Sequence, residues 1–135
     1  MKKYKVLIVN RSLDAGGIEA FIYNTVTHMN LEMFDVTVLI FDKRPEEVAH
    51  YEKGIESCGA SVIKLFAGDN KYLQYIERRR LLGRHLEKNA YDIIHINGCF
   101  SDDGVDCWVA HRHGVPKIIM HAHTADVQWK RNDWR

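Results

Sequence analysis

The feature that most limits the fold of this chain is a regular alternation of short apolar runs with longer amphipathic stretches. The apolar runs predict five strands, at residues 4–9, 35–41, 61–66, 92–97 and 118–123. The amphipathic stretches predict helices between them, near residues 17–29, 45–58, 71–89 and 103–114. Such alternation is typical of a three-layer α/β domain with a parallel sheet, for which we expect the strand order 3-2-1-4-5.

Single residues set the expected ends and faces of these helices. Pro45, followed by two glutamates, predicts the start of the second helix, and Gly59 predicts its end. Apolar residues at helical spacing predict the core-facing positions, which are Ile18, Phe21, Ile22, Val26 and Met29 in the first helix and Leu73, Ile76, Leu81, Leu82 and Leu86 in the third. The basic residues of the third helix predict a solvated face, or contact with anionic lipid; they are Arg78, Arg79, Arg80 and Arg84, with Lys71, Tyr72 and Tyr75 nearby.

The composition excludes several classes of protein. With 135 residues the chain is long enough for one domain with a core, which we place over residues 1–135. A net charge of +1 gives no electrostatic reason to expect a nucleic-acid partner. The three cysteines lack metal-type spacing and indicate reduced thiols, so we expect a cytoplasmic protein. No apolar run approaches the roughly 20 residues of a membrane span.

A pair of glycines follows the first predicted strand, in the run Ala15-Gly16-Gly17-Ile18-Glu19. Backbone N–H groups at such a strand–helix junction can meet a phosphate, although a tight turn that only packs the helix explains the pair equally. Because the full GxGxxG fingerprint is absent, a standard NAD-binding domain is disfavoured. Glu19 is interpreted either as a first-turn carboxylate that favours the helix dipole or as a group that holds a ligand hydroxyl.

Two histidines, His121 and His123, lie two residues apart at the end of the fifth predicted strand and therefore share a face. They are interpreted as a structural pair whose ring nitrogens are hydrogen-bonded within the protein, or as groups that contact substrate or act as acid or base. A metal-binding pair is a weaker interpretation, since no other His, Asp or Glu cluster has recognisable ligand spacing. Asn97, Ser101 and Asp102 follow the fourth strand, where they either cap the next helix or bind sugar hydroxyls. Ligands of parallel sheets bind beyond the carboxyl ends of strands, so we expect the loops 10–17, 97–103 and 121–126 to converge there.

Several of these segments, taken in order, resemble the N-terminal domain of a family 4 glycosyltransferase of the GT-B superfamily. The matching segments are Lys5 to Val9, Ala15 to Glu19, Tyr91 to His95 and Gly114 to Thr124. The enzymes that it resembles most are bacterial and build capsular polysaccharide, exopolysaccharide or lipopolysaccharide chains. The resemblance implies a Rossmann-like half of a two-domain enzyme with its active site in the cleft between the halves.

The resemblance also implies roles for the residues singled out above. It implies that Ala15, Gly16, Gly17 and Glu19 face the phosphate and sugar of a nucleotide-sugar donor of the UDP or GDP type. One of His121 and His123 would contact the sugar near the reacting centre. The acceptor, a saccharide or a lipid-linked sugar, would be held by Arg11, Asn97, Ser101, Asp102 and Thr124. The implied transfer retains anomeric configuration and needs no metal and no cofactor beyond the nucleotide sugar, which is a substrate.

In the family, a C-terminal domain binds the nucleotide sugar. No segment of these residues resembles that domain. We therefore expect these 135 residues to be a shortened acceptor-side domain that is inactive alone and needs that domain as a partner. We expect the protein to be cytoplasmic, with contact at the inner membrane surface as the alternative. The alternatives are a non-catalytic α/β interaction or regulatory module and a domain that binds a nucleotide cofactor.

Overall fold

The structure is a computed structural model that describes residues 1–98 and 103–124. Strands and helices alternate along the whole of this part of the chain. They are β1 (Tyr4–Val9), α1 (Gly17–His28), β2 (Phe34–Ile40), α2 (Glu52–Ser57), β3 (Ser61–Lys64), α3 (Gln74–Lys88), β4 (Ile93–Gly98), α4 (Asp103–Arg112) and β5 (Lys117–Ala122).

The five strands form one parallel sheet of order β3-β2-β1-β4-β5, which confirms the predicted fold class and strand order. The central strand is β1, in which Val6 is opposite Val36 of β2 on one side and Ile93 of β4 on the other. A strand in this position is buried on both faces, and this explains the apolar run from Val6 to Val9, all four of which are buried. Leu7, for example, has no exposed surface.

The two-residue period of β1 divides the core into two clusters on opposite faces of the sheet. Leu7 and Val9 belong to the cluster that includes residues of α3 and α4, whereas Val6 and Ile8 belong to the cluster that includes residues of α1 and α2. The domain therefore has the expected three layers, and every strand ends at the same edge of the sheet. Ligands of parallel α/β sheets bind at this edge.

The prediction that the second helix starts at Pro45 is wrong. A turn lies there instead, in which the Arg44 N–H donates to the Glu47 carboxylate (2.6 Å) and the Glu47 N–H donates to the Arg44 carbonyl (3.0 Å). The helix starts seven residues after Pro45, at Glu52, whose buried carboxylate accepts from the Ala49 N–H (2.9 Å). Its predicted end is confirmed, because Gly59 has a φ of 105°, a conformation that favours glycine.

The predicted core face of α3 is confirmed only in its second half. Leu82 and Leu86 are buried, but Leu73 and Ile76 near its N-terminus are 54% and 60% exposed. The reason is that Arg78 takes the inward position one turn before Leu82. In the described parts of the chain, no helix is both long enough and apolar enough to cross a membrane.

Candidate functional site

A cavity of about 510 Å³ opens at the carboxyl ends of β1, β2 and β4. Its wall is made by segments far apart in sequence: the residues after β1 and β2, the first turns of α1, α3 and α4, and the end of β4. The parallel order of the sheet brings them together, because each of these strands ends at the same edge. This is the position at which α/β domains of this kind bind ligands.

The N-terminus of α1 lies beside this cavity and offers backbone donors. Gly16 is its N-cap residue, in an extended conformation (φ −169°), and it gives the helix no side-chain cap. The Glu19 carboxylate lies against Gly16, where a Cβ would overlap it, whereas the space around Gly17 is open. Close approach of a ligand to the backbone is therefore possible at Gly17, while the glycine at position 16 leaves room for Glu19.

Asn97 connects the cavity to one of the two candidate histidines. The residue is 3% exposed, and its Oδ1 accepts a hydrogen bond from His123 Nε2 (2.9 Å). In this orientation Nε2 carries the proton, so the Nδ1 of His123 is left as an acceptor. The second polar atom of the amide, Asn97 Nδ2, is buried and has no hydrogen-bond partner among the described residues.

Three histidine rings form a stacked row on the sheet next to Asn97. The His95 and His121 centroids are 5.5 Å apart and the His121 and His123 centroids 4.1 Å apart, with nearly parallel planes. Burial lowers the pKa of His95 and of His123, and the like charge of neighbouring rings lowers both further, so we expect them to be neutral at neutral pH.

Phe21 of α1 contacts His121 and His123 edge-on. It is 37% exposed, so the prediction that it belongs to the core is wrong.

The arrangement of these rings does not favour a metal site. Stacked imidazoles present their faces to one another, whereas metal ligands must point their nitrogens at one position. Among residues 1–98 and 103–124, no three His, Cys, Asp or Glu side chains are placed to hold a metal ion.

A buried ion cluster forms another part of the cavity wall. Arg78 of α3 pairs with Asp103 (3.3 Å) and with Asp106, both in the first turn of α4. Burial raises the pKa of Asp106, and the charge and hydrogen bond of Arg78 oppose this rise. The prediction that Arg78 belongs to a solvated face is therefore wrong. The four-residue spacing of Arg78, Leu82 and Leu86, which places the three on one face of the helix, is the signal that could have shown it.

Asp42 is a wall residue that the sequence analysis did not single out. It follows β2 at the same edge, is partly buried, and its Oδ1 has no hydrogen-bond partner in the described part of the chain. Burial raises its pKa, although the Ser12 hydroxyl and the charge of Lys43 act in the opposite direction. A buried polar atom without a partner costs about 1–3 kcal/mol, so such atoms in a native protein call for an explanation.

The predicted site residues are distributed unevenly around the cavity. Arg11, Glu19 and Asn97 line it. Ala15, Gly16 and Gly17 precede it at the start of α1, and His121 and His123 lie beyond Asn97, outside the lining. Thr124 is exposed and also lies outside the lining, whereas Ser101 and Asp102 fall outside the described residues.

Comparisons with known structures support the fold. The chain resembles the C-terminal domain of PF1911 hydrogenase from Pyrococcus furiosus, with a TM-score of 0.66, 19% identity, and coverage of 90% of this chain and 94% of that one. It also resembles a glycosyltransferase from Rickettsia africae ESF-5, with a TM-score of 0.63 and 14% identity. There the match covers 89% of this chain but 30% of that one. At these identities the likeness concerns the fold alone.

The comparison with protein families is more specific. No curated protein gives a significant match. The sequence model of Glycosyltransferase Family 4 matches residues 15–135, which include the glycine pair and the histidine pair. The resemblance inferred from the sequence is thereby confirmed at the level of the family. This chain belongs to Glycosyltransferase Family 4.

Proposed function

We propose that this chain is the acceptor-side domain of an enzyme that transfers a hexosyl group from a UDP- or GDP-sugar to a saccharide or lipid-linked acceptor. The observation that carries the proposal is the cavity at the carboxyl edge of the sheet, bounded by Arg11, Glu19 and Asn97 beside the N-terminus of α1. The cavity would hold the acceptor, and a second domain would present the nucleotide sugar across it. The transfer would retain anomeric configuration and proceed without a metal ion.

The N-terminus of α1 is suited to the phosphate side of the donor. Its first N–H groups receive no side-chain cap from Gly16, and the helix dipole favours a negative charge there. The open space at Gly17 would let a phosphate oxygen come close to the backbone. Glu19, which now lies over Gly16, would then bind a sugar hydroxyl instead.

His123 is suited to a contact with a reacting or neighbouring hydroxyl. Its Nε2–H is held by Asn97, which leaves Nδ1 to accept a proton or a hydrogen bond. The stacked ring of His121 helps to keep His123 neutral, because a charge on one ring would repel a charge on the other. We therefore assign the substrate contact to His123 and a supporting position to His121.

Contact with a membrane surface would suit a lipid-linked acceptor. The chain around the start of α3 exposes Tyr72 (88%), Leu73 (54%) and Ile76 (60%), with Lys71 and Arg79 close by in sequence, and Lys71 and Tyr72 line the cavity. Apolar side chains flanked by basic ones are typical of surfaces that bind anionic lipid. Sedimentation with phosphatidylglycerol vesicles, but not with phosphatidylcholine vesicles, is expected, and Leu73→Glu should abolish it.

The proposal is tested by NMR titration of the ¹⁵N-labelled chain with UDP-glucose and GDP-mannose. We expect roughly millimolar binding, because this domain would make only part of the donor contacts, with shifts at the backbone amides of residue 17 and Ile18. Gly17→Val should remove these shifts without unfolding the chain, because its added atoms meet open space. Gly104→Val is the matched control, since Gly104 also lies in the first turn of a helix with open space around it. Equal binding by the two variants would contradict the proposed phosphate contact.

A further inference from the structure

Phe21 is a large aromatic side chain that the core of the domain does not use. Its neighbours on α1, Ile18 and Ile22, pack into the core, but Phe21 belongs to neither core cluster and is 37% exposed. The ring lies instead against the two histidines at the end of β5, with its centroid 4.8 Å from that of His121 and 5.1 Å from that of His123. Packing of the core therefore does not explain the position of this ring.

The contacts of Phe21 connect two parts of the candidate site. Phe21 lies one turn after Gly17, at the start of α1, whereas the histidines lie at the end of β5. Its ring plane makes angles of 84° and 71° with the two imidazole planes. Such edge-to-face contacts are favoured over a face-to-face sandwich because the edge of one ring is positive and the face of the other negative. The helix end that is proposed to meet the donor phosphate is thereby in contact with the histidine pair.

The imidazole of His123 is held from three directions. Its Nε2 donates to Asn97 Oδ1 (2.9 Å), its plane stacks on His121 with the centroids 4.1 Å apart, and Phe21 meets it edge-on. The hydrogen bond alone fixes Nε2 and leaves the rest of the ring free to swing about that atom. The two ring contacts restrict this motion, so Nδ1 is kept in one direction.

Phe21 also acts on the charge of His123. Burial is the main cause of the lowered pKa of His123, and an apolar ring in contact with the imidazole keeps water from one side of it. The titratable groups around it are His121, which lowers the pKa, Glu19 of α1, which raises it, and His95 of β4 in the same row. Without the ring of Phe21, water would reach the imidazole and the pKa of His123 would rise toward its ordinary value.

We propose that Phe21 is a positioning residue for the sugar transfer, which holds His123 in the orientation that presents Nδ1 to the substrate. This inference rests on the proposed function, in which His123 contacts the substrate, and it adds a residue that acts through His123. A ring that is already immobile loses no further freedom when a ligand binds, so the ligand binds more tightly than it would to a mobile ring.

The first test reads the imidazole signals of His123 by long-range ¹H–¹⁵N NMR in the whole chain without ligand. In the native chain we expect one tautomer, with the proton on Nε2, and a pKa below the ordinary value. Phe21→Ala should increase the share of the other tautomer and raise this pKa toward the ordinary value. Phe21→Tyr keeps the aromatic ring, so both native values should be retained.

Tyr4→Ala is the matched control. Tyr4 is also an exposed aromatic residue in contact with another ring, since its centroid lies 6.2 Å from that of Phe34. It stands at the start of β1, at the opposite edge of the sheet from the histidines. Its removal should therefore leave the tautomer and the pKa of His123 unchanged.

The second test follows the same signals during titration with UDP-glucose and GDP-mannose. Phe21→Ala should raise the Kd of the nucleotide sugar about two- to tenfold, which corresponds to the cost of immobilising one side chain. Phe21→Tyr and Tyr4→Ala should leave the Kd unchanged.

The outcomes separate this inference from the proposed function. If the native chain binds a nucleotide sugar but Phe21→Ala leaves the tautomer and the pKa of His123 unchanged, the inference is overturned and the proposed function stands. A Phe21→Ala variant with a lower Tm and native His123 signals would make Phe21 a packing residue, which also overturns the inference. If the native chain binds neither nucleotide sugar but Phe21→Ala changes the His123 signals as expected, the proposed function fails and the positioning of His123 by Phe21 stands.

Discussion

Arg78→Met removes the cation that faces Asp106 and Asp103 while keeping much of the apolar length of the side chain. In the native chain these three side chains are 13%, 2% and 7% exposed. Water therefore cannot replace the lost guanidinium at Asp106. Removal of one partner from a buried ion pair costs about 3–5 kcal/mol, because the remaining charge stays buried.

This loss should be large enough to measure by both heat and denaturant. For a domain of this length, each kcal/mol corresponds to ~3 °C in Tm, so we expect a decrease of about 10 °C or more. The loss should also depend on pH. Burial already raises the pKa of Asp106, and without Arg78 it rises further, so acid neutralises the carboxylate and removes part of the penalty.

The assay is urea unfolding followed by circular dichroism at about pH 7 and about pH 5. Arg80→Met is the matched control on the same helix, since Arg80 pairs with Glu77 at 2.6 Å but both side chains are well exposed. That pair should contribute less than ~1 kcal/mol. Equal losses in the two variants, or a loss in Arg78→Met that is the same at both pH values, would refute the argument from a buried charge.

Three further changes test other parts of the structure. His121→Ala should raise the pKa of His95 toward its ordinary value, because it removes a stacked ring at 5.5 Å. NMR titration of the His95 ring protons measures this pKa, and an unchanged value would mean that the rings do not interact. Lys64→Met should cost about 3 kcal/mol in urea unfolding because it leaves the Glu52 carboxylate (8% exposed) without its cation at 2.7 Å. Gly59→Ala should cost about 1 kcal/mol because of the φ of 105°, and a neutral effect would mean that the chain relaxes there.

The strands and their order could be predicted from the sequence because they depend on local patterns. The apolar run of β1 requires burial on both faces, and regular alternation with helices requires a parallel sheet. The start of α2 could not be predicted in the same way. Pro45 is acceptable both in a first helical turn and in a β-turn, and the choice depends on Glu52, whose carboxylate is held by Lys64 from β3.

The candidate site was predictable where a residue stands beside a visible motif and not where its role depends on distant partners. Asn97 and Glu19 stand beside motifs that the sequence makes visible. Arg78 resembles its solvated neighbours until α4 brings Asp106 to it. Asp42 directly follows the second predicted strand, but no motif stands beside it, and only the structure shows that one of its oxygens is buried without a partner among the described residues.

The strand order also has a consequence for how the chain folds during synthesis. β1 can pair with β2 as soon as residue 40 is available, but its other edge must wait for β4, which starts at Ile93. At translation rates of about 5–20 residues per second, that edge stays open for roughly 3–10 s. During this interval an apolar strand has an unpaired edge that favours aggregation. The nascent chain is therefore expected to depend on chaperones until β4 emerges from the ribosome.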